Sequence, residues 1–139
     1  MTRFVVDASV AVKWFVPEDD EESALALLDP AHELHAPDLL TPEFGNTIWK
    51  KLGRGELSPE EARTVINALP VVPLSIHPSR ALLPAAFDIA VRTSRTIYDS
   101  LYLSLATALD ARLVTADQKF VNALSSTPFA NQVIHIRDL

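Results

Sequence analysis

The chain has 139 residues, 48% hydrophobic and 22% charged, which suits one domain with its own core over residues 1–139 and excludes a disordered segment. It has no cysteine, which excludes a disulfide framework and thiolate metal sites and fits a reducing compartment. The net charge of −6 works against nucleic-acid binding unless basic residues gather locally, as Lys50, Lys51 and Arg54 do, and Arg92 with Arg95.

Arg3 before an apolar run suggests a signal peptide. Asp7 and Lys13 interrupt that run, and no apolar stretch reaches the ~18 residues of a membrane helix. The expectation is a cytoplasmic protein.

Residues 3–7 read as a buried strand that stops on Asp7. Ser9 is placed to cap a short helix through Val10, Ala11, Trp14 and Phe15, which Pro17 ends. The acidic run 18–22 opens a second helix, with Asp19 and Glu22 as a capping box; five successive acids there are read as helix-dipole compensation and solubility. Residues 33–36 are a weak second strand. Thr41 as cap and Pro42 at the first helical position start a helix to about Leu52, with Glu43 in its first turn and Gly53 and Gly55 ending it. Ser58-Pro59-Glu60-Glu61 opens another helix with a capping box, so the two form a hairpin with Arg54 near its tip.

Residues 71–76 read as a strand that Pro73 confines to a sheet edge. Ser79 is expected to cap the next helix, with Pro84 early in it. Asp99 opens a helix that is apolar on nearly every side from 101 to 109, hence buried. Residues 113–115 form a strand, Ala116-Asp117 turns into a helix with Phe120, Val121 and Leu124, and residues 133–136 close as a short strand. Strands alternating with helices in this way predict an α/β three-layer sandwich with a central parallel sheet.

Parallel sheets bind ligands beyond the C-terminal ends of their strands, where the strand order reverses. Asp7 and Asp117 follow strands; Glu43 and Asp99 begin helices entered from the same edge. Two carboxylates ~5 Å apart repel by roughly 3 kcal/mol at an effective dielectric near 20, so four in one pocket need a countercharge. An oxygen-only ligand set selects a hard dication, Mg²⁺ or Mn²⁺, which favours phosphate substrates and acidifies water for in-line attack on phosphorus. Each acid alone is explained as well by a turn or a helix cap; the coincidence of four at one edge favours metal. His32, His35, His77 and His135 fit no triad or zinc spacing.

Val6-Asp7-Ala8-Ser9-Val10, Pro42-Glu43-Phe44-Gly45-Asn46, the segment from Tyr98-Asp99-Ser100-Leu101 to Ala106, and Leu113-Val114-Thr115-Ala116-Asp117 resemble the successive motifs of PIN-domain proteins. The closest branch is that of the VapC-type toxins of prokaryotic toxin–antitoxin pairs. The resemblance implies a five-stranded parallel sheet and a Mg²⁺- or Mn²⁺-dependent endoribonuclease. It makes Asp7, Glu43, Asp99 and Asp117 the catalytic, metal-binding acids. It makes Ser9, Thr115 and Asn46 their supporting hydrogen-bond partners, Asn46 being equally readable as an exposed helical residue. Gln118 and Lys119 stand where some relatives carry a further acid, which leaves a second metal open. The resemblance also implies a homodimer and a cognate antitoxin seated in a hydrophobic groove, for which Trp14, Phe15 and Trp49 are candidates, with core as the alternative for at least one Trp. Lys13, Lys50, Lys51, Arg54, Arg92 and Arg95 are candidates for RNA phosphate contact. Ser9, two residues after the first Asp, is not the second acid that a haloacid-dehalogenase phosphatase needs. A PIN-like scaffold that binds RNA or protein without cutting is the alternative.

Overall fold

The computed structural model describes all 139 residues. Five strands, β1 (Thr2–Val6), β2 (His32–Pro37), β3 (Leu74–His77), β4 (Arg112–Thr115) and β5 (Val133–His135), form one sheet in the order β3-β2-β1-β4-β5. All four pairings are parallel, with Val5 opposite His35 on one side and Leu113 on the other. Phe4, Val5 and Val6 are buried in succession, as they must be in a central strand covered on both faces. The chain steps outward from β1 to β3, then returns to the far side of β1 with β4. The switch point therefore lies between β1 and β4. β3 is an edge strand as expected, but it starts at Leu74: Pro73 lies before it and Leu69–Val71 form a 3₁₀ turn, so the strand expected over 71–76 is displaced.

The helices are α1 (Ala8–Ala11), α2 (Glu21–Ala26), α3 (Leu40–Gly53), α4 (Pro59–Ala68), α5 (Ser79–Thr93), α6 (Ile97–Leu109) and α7 (Gln118–Leu124). α1 runs on into a 3₁₀ turn over Val12–Trp14. The expected capping box opens α4: Ser58 Oγ accepts from Glu61 N at 3.1 Å, and Glu61 Oε1 accepts from Ser58 N at 2.9 Å.

Four other caps differ from expectation. Asp7, not Ser9, caps α1. No capping box starts α2: Asp20 sits there in the left-handed region, φ 64°, with no side-chain bond to the helix. α3 begins at Leu40, one residue before Thr41, again without a side-chain cap. Ser79 is the first residue of α5, not its cap, and its hydroxyl donates to Asp38 across the chain. Two of the hydroxyls, those of Ser9 and Ser79, donate instead to carboxylates, which are stronger acceptors than neutral groups.

α6 is the central helix. Ser100 through Ala106 are buried without a break, and the helix packs against β1, β2 and β4 with α5 beside it. Ser104 Oγ ties the two helices by donating to Leu82 O at 3.2 Å. Burial stops at Ala106; Thr107 and Ala108 in the last turn face solvent, contrary to the expectation for 101–109. Trp14 belongs to the core, its Nε1 donating to Ala24 O at 2.8 Å, and Phe15 packs edge-to-face on Phe44. Trp49, by contrast, is 68% exposed. No helix is long and apolar enough to cross a membrane.

The Ser58 box joins two orphan backbone donors to side chains, so Ser58→Ala is expected to destabilise the fold by about 1 kcal/mol in urea unfolding. An unchanged midpoint would mean that the box contributes nothing to α4.

Candidate active site

The site is built on the end of β1. The strand delivers Asp7 into the core, where it is 9% exposed, and the chain turns at once into α1. Asp7 Oδ1 accepts from Ser9 Oγ at 2.5 Å and from Val10 N at 3.3 Å; Oδ2 accepts from Thr115 Oγ1 at 2.5 Å. The two hydroxyls are held in turn by the β4–α7 turn. Ser9 Oγ accepts from Ala116 N at 3.0 Å, and Thr115 Oγ1 from Asp117 N at 3.1 Å. A single side chain thereby locks the switch-point strands β1 and β4 together. Burial still dominates its ionisation: the Asp7 carboxyl is pushed from 3.8 up to about 6, the three hydrogen bonds and the neighbouring Glu43 being smaller influences.

Glu43 lies in the first turn of α3, where Tyr102 OH of α6 donates to its Oε1 at 2.6 Å. Partial burial raises its pKa; the Tyr102 bond opposes that and nearby Asp99 adds to it. The same burial, reinforced by Glu43, keeps the Tyr102 phenol protonated. Asp99, in the first turn of α6, is gripped at Oδ2 by Arg95 Nε and Nη2 at 3.2 and 2.8 Å, and the guanidinium lies over the Phe120 ring at 5.3 Å. Asp117 caps α7, its Oδ1 accepting from Lys119 N and Phe120 N.

Asp7, Glu43, Asp99 and Asp117 line one cavity of about 490 Å³, together with Ser9 and Asn46. Thr115 sits just behind it, fully buried. Of the candidate basic residues, Lys13, Lys50, Lys51 and Arg54 line the same cavity. Arg95 reaches it only through Asp99, and Arg92 lies apart, against Phe129. Two lining residues escape a reading of the sequence. Tyr102 passes for core because it stands in an apolar helix, although a buried phenol needs a hydrogen-bond partner. Glu18 passes for one of five solvated acids, yet it bridges Lys13 and Lys51.

In this conformation no three acids stand close enough to close on one bare ion. Each is engaged locally instead. The donor set nevertheless fits a hydrated dication. Oε2 of Glu43, Oδ1 of Asp99 and Oδ2 of Asp117 accept no hydrogen bond from the protein, while their partner oxygens are anchored. Asp7 and Glu43 have raised pKa values and no basic side chain bonded to them. Mg²⁺ keeps several of its waters and needs only one or two direct carboxylates.

The PIN domain family model matches residues 4–123. The chain belongs to the PIN domain family. Ribonuclease VapC3 of Pyrobaculum aerophilum is 34% identical to it over 119 residues, covering 84% of this chain and 91% of that protein. That likeness places this PIN domain with the VapC proteins. Among solved structures, Mycobacterium tuberculosis VapC20, a sarcin-ricin loop cleaving toxin, matches with a TM-score of 0.66 at 12% identity, covering 86% of this chain and 94% of that one. A toxin–antitoxin complex from Klebsiella pneumoniae contains a chain that matches with a TM-score of 0.61 at 11% identity, covering 95% and 96%. At such identities these two structures establish the fold of this PIN domain.

The buried charge of Asp7 sets a pH-dependent cost on the metal-free PIN domain. The folded state holds the Asp7 proton more tightly than the unfolded chain. The cost is therefore absent below about pH 4, grows through the interval up to about 6, and is complete above it, at about 3 kcal/mol. Asp7→Asn is expected to be more stable than wild type by up to that amount in EDTA at pH 7.5, with the gain fading as the pH falls to 4. Equal denaturation midpoints at pH 7.5 would contradict the burial of an ionised Asp7.

Proposed function

We propose that this PIN domain is a divalent-metal-dependent endoribonuclease that acts as the toxin of a toxin–antitoxin pair. The observation that carries the reading is the gathering of four acids on one cavity, with the innermost buried and lacking a basic partner. Buried charge without compensation is a stability cost that a purely structural site has no reason to keep. A bound Mg²⁺ or Mn²⁺ would supply that compensation, acidify a water nucleophile and polarise the phosphodiester.

The chain's own residues do the remaining work. Ser9 and Thr115 fix the Asp7 carboxylate in one orientation and favour its ionised form. Tyr102 fixes Glu43, and the α7 backbone fixes Asp117, so that one oxygen of each is anchored and the other is offered to the cavity. The basic residues Lys50 and Arg54 at the far end of the cavity attract the phosphate chain in spite of the net charge of −6.

The names of the relatives support the choice of RNA as substrate and of an antitoxin as partner. For the antitoxin we assign the apolar groove between α3 and α4, about 420 Å³, lined by the exposed Trp49 with Leu52 and Ile66. For the second copy of a homodimer we assign the exposed stripe of Leu83, Phe87 and Val91 along α5.

Cleavage of single-stranded RNA and tRNA in Mg²⁺ or Mn²⁺ tests the reading. EDTA and Asp7→Ala are each expected to abolish it. Undiminished cleavage in EDTA would contradict the metal dependence, and no cleavage of any RNA with either ion would leave a silent scaffold as the better account.

A further inference from the structure

The two buried lysines of the cavity take no part in the chemistry assigned to the acids. Lys13 and Lys51 are 7% and 8% exposed, a state lysine almost never reaches unless paired. Both converge on one loop carboxylate: Lys51 Nζ lies 2.6 Å from Glu18 Oε1, and Lys13 Nζ lies 3.3 Å from Oε2. We propose that Lys13 and Lys51 form a second phosphate site, which takes a phosphate of the RNA chain near the one cleaved, and that Glu18 holds this place in the free protein. The proposal rests on the reading of the cavity as a ribonuclease site.

Its first support is the face that α3 turns to the cavity. Glu43, Asn46, Thr47, Lys50, Lys51 and Arg54 recur at helical spacing and all line it. The stripe begins with an acid and ends with three bases. At 1.5 Å rise per residue, Glu43 and Lys51 are roughly 12 Å apart along the axis. An RNA strand with one phosphate at the acids therefore runs on toward the lysines, where its next negative charges fall.

The second support is the balance of charge. Lys13, Lys50, Lys51 and Arg54 face two acids at this end, Glu18 and Glu56; Glu56 lies 3.7 Å from Lys51 and 3.4 Å from Arg54. Fastening the loop to α3 would need one lysine. The second buried ammonium shares the same carboxylate, and the only other acid within ion-pair distance of either lysine is Glu56, 3.7 Å from Lys51 and shared with Arg54. Two ammonium groups on the two oxygens of one anion is also the arrangement that the non-bridging oxygens of a phosphodiester would accept.

The third is an asymmetry of support. The lysines stand on helical turns, at Val12–Trp14 and in α3. Glu18 stands on the irregular stretch before α2, with its side chain 27% exposed. Lys13 also donates to Asp19 O at 2.7 Å, a bond that does not depend on the Glu18 carboxylate. When Glu18 swings outward, Lys13 therefore keeps Asp19 O and Lys51 keeps Glu56 at 3.7 Å. The free cavity is then shielded from stray anions, and RNA competes with an internal carboxylate for the site.

The test uses the full chain carrying Asp7→Asn, in Mg²⁺, and a fluorescent single-stranded RNA oligonucleotide whose affinity is followed across a salt series. Adding Lys51→Gln or Lys13→Gln is expected to weaken binding roughly tenfold and to lower the salt slope by about 1. Adding Glu18→Gln is expected to tighten binding several-fold. Unchanged or weaker binding by the Glu18 variant, or no binding of RNA by any form, would overturn the proposal. Thermal melts accompany each variant. Should the lysine variants fail to fold, Glu18→Gln still decides against Glu22→Gln, an exposed acid of the same run: both remove one negative charge, and only the Glu18 variant is expected to tighten binding several-fold. If the wild type fails to cleave RNA while these affinity changes appear, the nuclease reading falls and the phosphate site stands.

Discussion

The rest of the molecule depends on a carboxylate placed at the floor of the cavity and almost wholly buried. Asp7 ends the central strand, and its two oxygens are held by hydroxyls that are themselves held by the turn after β4. That chain of four hydrogen bonds joins the two strands at which the sheet changes direction. It also positions Asp117, whose backbone N–H bonds the Thr115 hydroxyl. The geometry of the site and the closure of the sheet's switch point are therefore one piece of structure. The cost is an ionised group in the core, and the neighbouring Glu43 increases it. A cation in the cavity would turn that cost into binding energy.

The cavity is polar along its length, with acids at the β1 end and bases at the α3–α4 end. Such a gradient reconciles an acidic protein with a polyanionic substrate. The overall field repels nucleic acid, while the local basic rim would attract it and a dication would neutralise the acids at the centre. Arg95 does not line the cavity but pairs with one acid of that end. Stacked on Phe120 and bound to Asp99, it supplies part of the countercharge from within the chain.

Much of the architecture was legible from sequence because it rests on local pattern. The unbroken apolar β1, the apolar α6 and the Ser58 capping box each signal themselves within a few residues. The gathering of acids was legible too, because a parallel sheet brings the residues after its strands to one edge whatever the loops do. Two of the misread caps have a visible cause: Ser9 donates to Asp7 and accepts from Ala116 N in place of a helix N–H, and Ser79 donates to Asp38, 41 residues away. Tyr102 and Glu18 stayed hidden because their partners are distant in the chain; Tyr102 and Glu43 are 59 residues apart. The burial of Lys13 and Lys51 depends on the same kind of long-range pairing, which no spacing rule carries.

The most direct measurement is a crystal structure of the wild-type chain grown with Mn²⁺, with anomalous differences collected at the manganese edge. A peak among Asp7, Glu43, Asp99 and Asp117, within ligand or single-water distance of their oxygens, is the expected result. A fully occupied lattice with no peak there, and with the four acids keeping only their present protein partners, would contradict the account.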